Sequence, residues 1–174
     1  MEKIKKFNPD QVEIINEAAG MAEELVSDFF KISASQWSKR RYDVKTLVEL
    51  SGNEIVHGPF AQVIRYSGRR GDTSLGSSTY DFYKICVQDH AILAVTEKSG
   101  GIKLFPFTLY IITHELVHII RFSKFLQSFD ASPCEIYEEE IRVHDLTNGI
   151  LKNVRLAGLR KVMRFYHEWR LASQ

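Results

Sequence analysis

Apolar positions recur along this chain with two different periods, and the switches between them mark out its elements. Between Asn8 and about Ile32, Val12, Ile15, Ala19, Met21, Ala22, Leu25 and Phe29 return every three to four residues, which predicts a long amphipathic helix. Asn8-Pro9-Asp10 supplies its start: a capping side chain, then a proline at the first helical position, where the N–H has no partner in any case. Residues 33–41 are polar and basic and read as a solvated linker, 42–50 fit either a strand or a short helix, and 51–60 carry Gly52, Gly58 and Pro59 as loop punctuation. A strand follows at 61–66 (AQVIRY), then a loop rich in glycine and serine at 67–78. The best strand pattern is 80–96, rich in aromatic and β-branched residues, with Tyr83, Ile85 and Val87 on one face and His90 near its far end.

From about residue 106 to 124 the alternation disappears. Leu109, Tyr110, Ile111, Ile112, Leu116, Val117, Ile119, Ile120 and Phe122 leave no polar side, the mark of a helix buried all round. A third helix is expected at about 135–151, after the Ser132-Pro133 break, and an amphipathic, basic helix at about 154–172. Runs of strand followed by runs of helix predict one α+β domain over residues 1–174, a small, twisted, mainly antiparallel sheet flanked by helices.

Composition narrows the class. The 174 residues are 44% hydrophobic and 26% charged with a net charge of +1, which fits a soluble globular domain and gives no field that would favour nucleic acid. No run approaches the roughly 20 apolar residues of a membrane span, and the N-terminus has no apolar signal core. Cys86 and Cys134 make no disulfide framework and have no metal-ligand spacing, so reduced thiols and a cytoplasmic location are expected.

The chemistry lies inside the buried helix, in His114-Glu115-Leu116-Val117-His118. Four residues apart on a helix, His114 and His118 project from one face on successive turns and can reach one tetrahedral metal ion, expected to be Zn²⁺. Glu115 is turned by about 100° from His114, beside the metal, where a general base acts on a metal-activated water. Two histidines and a carboxylate in an apolar helix need compensation, which a metal supplies more simply than a structural His/Glu network.

Zinc needs a third protein ligand. A continuation as H-E-x-x-H-x-x-G-x-x-H is excluded, because Arg121 and Lys124 occupy the later positions. On a helical wheel of 136–151, Ile136, Tyr137, Val143, Ile150 and Leu151 form one apolar arc. Glu140 falls near its middle, Glu138 opposite, and Glu139 at the margin, so Glu140 is the expected ligand and Glu138 and Glu139 a solvated face. His144, one turn beyond Glu140, is expected to act in catalysis, by steadying an oxyanion or orienting Glu140; direct ligation and plain core packing are its other readings.

HELVH followed on a later helix by a glutamate resembles the gluzincin class of zincin metallopeptidases, and EEEIRVHDLTNGIL resembles the third-ligand helix of the short zincins related to the ImmA/IrrE family. Ile141-Arg142-x-His144 stands where that pattern has Ala-Asn-x-Phe, and the likeness covers roughly residues 80–151. The resemblance again puts Glu140 in the ligand position and implies a strand beside the substrate, which would be 80–91 here. It implies a zinc-dependent peptidase acting on a peptide or protein; the charge and hydropathy of the chain predict no membrane partner and make nucleic acid an unlikely one, the basic C-terminal helix being the one surface that could take it. The other reading is a metal-bearing regulatory or interaction module that holds a partner protein through its terminal helices and cleaves little.

Overall fold

A computed structural model describes residues 3–39, 41–69, 79–98, 100–124 and 130–172. The long first helix, α1, is Pro9–Phe30. Asn8 caps it by accepting from the Gln11 N–H at 2.8 Å while the Gln11 side chain accepts from the Asn8 N–H, so both ends of a capping box are made. Its last residue, Phe30, falls two short of the expected limit, and Lys31 caps it in the left-handed region (φ 57°). The stretch expected to be linker forms a short helix instead, α2 (Ala34–Lys39), whose Trp37 is buried and donates from Nε1 to Ser27 Oγ at 2.6 Å.

Strands β1 (Tyr42–Lys45), β2 (Ala61–Arg69) and β3 (Thr79–Val87) form a small mixed sheet in the order β1-β3-β2. β2 and β3 are antiparallel from Ala61 opposite Val87 to Arg69 opposite Thr79, whereas β1 runs parallel to β3 with Tyr42 opposite Tyr83. The ambiguous 42–50 stretch is therefore both things, a strand and then a 3₁₀ turn at Leu47–Glu49. Residues 70–78 of the expected loop lie outside the described residues, and 67–69 extend β2.

The strand expected at 80–96 stops at Val87. Tyr83, Ile85 and Val87 are buried as their alternation requires, but Asp89–Lys98 is a helix, α3. Asp89 is the reason for the break: its buried carboxylate accepts from the backbone N–H groups of Phe7 (2.8 Å) and Leu47 (3.0 Å), tying two distant segments to the start of α3. His90 is thus the second residue of a helix, ring edge-on to His57 at 5.1 Å, and not at a strand end.

At the centre lies α4 (Leu104–Ser123). Every residue from Pro106 to Ile120 is buried, as the all-round apolar pattern requires. α1 packs along one side; α5 (Pro133–Leu151), α6 (Leu159–Ala172) and the sheet contact it elsewhere. Ser132 and Glu135 make a second capping box at the start of α5, with Pro133 at its first position. α6 starts at Leu159, five residues later than expected. Gly158 precedes it at φ 87°, where a Cβ would approach Pro106 Cγ to 3.3 Å, so the chain turns there against the first turn of α4. Among the described residues no helix is long and apolar enough to cross a membrane.

Candidate metal centre

His114 and His118 leave successive turns of α4 toward α5, and Glu140 reaches across from α5 to meet them. His114 Nε2 and His118 Nε2 are 3.1 Å apart; Glu140 Oε2 is 3.3 Å from the first and Glu140 Oε1 2.8 Å from the second. Ligand atoms at 2.0–2.1 Å from a tetrahedral zinc are separated by about 3.3 Å. Two imidazole nitrogens and the two oxygens of one carboxylate are thus gathered at separations near that value, close enough for the three residues to hold one metal ion. Both histidines are buried, while the Glu140 side chain is 44% exposed at the edge of the site. Burial pushes the Glu140 carboxyl up, but its hydrogen bonds to His114 and His118 outweigh that and hold it well below the usual carboxylate range.

Glu115 is buried beside the pair and makes no hydrogen bond or ion pair among the described residues. Burial raises its pKa, against the opposing pull of His114 and His118. His144 is outside the ligand group: its Nε2 is 3.9 Å from Glu140 Oε2, its ring centroid 4.3 Å from that of His114, and its Nδ1 2.8 Å from the Tyr110 hydroxyl. Burial first, and then the positive field of its neighbours, lowers its pKa to about 2, so the ring is neutral.

The expected solvated face on α5 is half right. Glu138 is exposed, but Glu139 is buried, paired with Arg121 on α4 and with Arg142 one turn along α5 at 2.8 Å. A carboxylate at the margin of an apolar arc goes inward when a neighbouring helix presents a guanidinium to it, and Arg121, three residues past His118, does so. Burial raises the Glu139 pKa, and the two arginines lower it by more. Ile136 and Tyr137 depart in the other direction. Placed on the apolar arc by the wheel, both are 49% exposed, because the first turns of α5 overhang a cleft instead of the core.

That cleft, of about 840 Å³, contains the site. It is lined by His114, Glu115 and His118 of α4 and by Glu140 and His144 of α5. The start of β2, from Ala61 to Val63, lines it too. β3, which includes most of the strand expected beside the substrate, is the central strand, paired on both sides over Tyr83–Cys86, so it has no free edge there; β2 is an edge strand and faces the cleft. Tyr166, Trp169 and Arg170 of α6 complete the wall.

Sequence reasoning singled out neither Tyr110 nor the α6 residues for the site. Tyr110 had a signal, since it precedes His114 by four and so shares its face of α4. Tyr166 stacks on Tyr110 at 4.2 Å, a contact between distant segments that no local pattern announces. No family model, curated protein or solved structure matches the chain.

Proposed function

We propose that this protein is a zinc-dependent metallopeptidase in which His114, His118 and Glu140 hold the metal. The observation that carries the reading is the convergence of His114, His118 and Glu140, their nitrogens and carboxylate oxygens 2.8–3.3 Å apart, in a cleft that Glu115 also lines. A zinc ion held by these three residues would supply Lewis acidity toward a scissile carbonyl and an attacking water.

The chain's own residues account for the rest. Glu115, which lines the cleft beside the two histidines, takes the proton of the attacking water and returns it to the leaving amine. His144, neutral and held by Tyr110, donates from Nε2 to the oxyanion that develops on the carbonyl. An extended peptide pairs with the free edge of β2, which aligns its scissile bond over the histidines. The likeness to gluzincins seen in the HELVH element and the later glutamate supports the same assignment.

Metal analysis and a peptide-library digest test it. Close to stoichiometric zinc is expected in the wild type and in Glu115→Gln, and a loss of zinc in Glu140→Ala. Cleavage is expected in the wild type alone. Full zinc occupancy in Glu140→Ala would remove Glu140 from the ligand set. Zinc without any cleavage that depends on Glu115 would leave the other reading, a metal-bearing regulatory module that holds a partner protein.

A further inference from the structure

The metal reading leaves one charged side chain of the cleft without a task. Arg170, near the end of α6, lines the cleft beside Trp169 and one turn beyond Tyr166. It is partly buried, and its charge is felt at both His144 and Tyr110. Among the described residues its guanidinium makes no hydrogen bond and no ion pair, unlike Arg121 and Arg142, which share Glu139. A partly desolvated guanidinium without an anion is unfavourable, and a planar fork of donors fits a carboxylate in two-point contact.

Charge balance in the cleft leads the same way. Apart from two tyrosines, the ionisable groups that line it are Glu115, Glu140, Arg170 and three histidines. A divalent ion at the histidine pair offsets the two carboxylates, and Arg170 is then a surplus of one positive charge facing whatever enters. The rest of the wall is largely apolar: Phe60, Phe122, Ile136, Tyr137, Ile141 and Trp169.

We propose that Arg170 is a specificity-determining residue that binds a carboxylate of the substrate, so that the cleft takes peptides combining apolar side chains with one carboxylate near the scissile bond. This rests on the peptidase reading and names its substrate class. The carboxylate comes either from a free C-terminus or from an aspartate or glutamate side chain.

The test is calorimetric binding to zinc-loaded Glu115→Gln protein, which holds peptides without cutting them. The probes are acetylated hexapeptides of alanine and phenylalanine: one with a free C-terminus, one amidated, and two amidated with either glutamate or glutamine at the fourth position. At least one carboxylate-bearing peptide is expected to bind about tenfold more tightly than its neutral counterpart, the size of a charge-assisted contact. Adding Arg170→Gln should close that gap, and adding Arg170→Lys should keep part of it. Whichever peptide shows the gap identifies the source of the carboxylate. Equal binding of charged and neutral peptides, or of none, would overturn the proposal, and so would a gap that survives Arg170→Gln. Because binding is read on a variant that does not turn over, a wild-type protein that cleaves nothing would sink the peptidase reading while leaving the Arg170 result intact.

Discussion

The Tyr110 hydroxyl lies 2.8 Å from His144 Nδ1, and His144 is its only hydrogen-bond partner among the described residues. Burial raises the pKa of Tyr110, so the phenol keeps its proton, and with a single partner it donates that proton to Nδ1. A neutral imidazole that accepts at Nδ1 carries its own proton on Nε2. The bond therefore selects a tautomer whose Nε2–H faces Glu140 and the cleft, a donor and not a ligand.

Tyr110→Phe removes that selection while keeping the ring and its stacking on Tyr166. Peptidase kcat should fall about tenfold, equivalent to about 1.4 kcal/mol of barrier, with KM and zinc content unchanged. His144→Ala removes the donor itself and should cost about a hundredfold. Steady-state kinetics with parallel zinc analysis check both. Loss of zinc in His144→Ala would make His144 a ligand and defeat this assignment.

Glu139 predicts a different failure. It joins α4 to α5 through Arg121 and lies next to Glu140, so it links the two helices on which the candidate site stands. Glu139→Ala leaves the largely buried Arg121 without its carboxylate, a change that typically costs about 3–5 kcal/mol. Thermal unfolding should show a large fall in stability, and zinc affinity should drop with it although no ligand has changed. A variant as stable as the wild type would show that the α4–α5 register does not depend on this ion cluster.

What was legible in the sequence follows from how local each signal is. α1 and α5 announce themselves because cap, period and proline all lie within one helix, α4 does so through its unbroken apolar run, and the His114–His118 spacing is local geometry as well. Glu140 was readable from the wheel because its place on α5 puts it opposite α4. The strand was read too far, through Asp89 and His90, because the helix that begins there owes its start to the N–H groups of Phe7 and Leu47, tens of residues away. The depth of Glu139 escaped for the same reason, since it depends on Arg121 of another helix. The sheet's edge strand could not be chosen from sequence because strand order is a tertiary fact: β2 and β3 both look like good strands, and only pairing tells which of them keeps a free edge at the cleft.

Glu54 sets a pH dependence away from the site. Buried in the turn before β2, it accepts from Ser51 Oγ at 2.8 Å, from Lys84 Nζ at 3.1 Å and from the Tyr66 hydroxyl at 3.3 Å. The Ser51 bond first, and then Lys84, hold its carboxyl below the usual range despite burial. A depressed folded pKa adds stability above the unfolded value of about 4.3 and loses it as pH falls through the lower folded value. In urea unfolding the wild type should exceed Glu54→Gln at pH 7, with a gap that narrows steadily below about pH 4. A gap that widens on acidification would contradict this sign.

Ile136 and Tyr137 give the prediction that best separates cleft from core. Both are apolar and half-exposed on the first turns of α5, and both line the cleft. In the core an apolar-to-charged change would be ruinous, but here the side chains already meet water, and substitutions at such positions usually alter stability by about 0.5 kcal/mol or less. As apolar wall contacts for a substrate side chain, Ile136→Asp and Tyr137→Asp should leave the melting temperature and zinc content unchanged. Their effect should appear in KM, which rises about tenfold for loss of one good apolar contact, while kcat holds because the groups beside the reacting bond are untouched. A fall in melting temperature with unchanged KM would instead make this turn of α5 part of the packed interior.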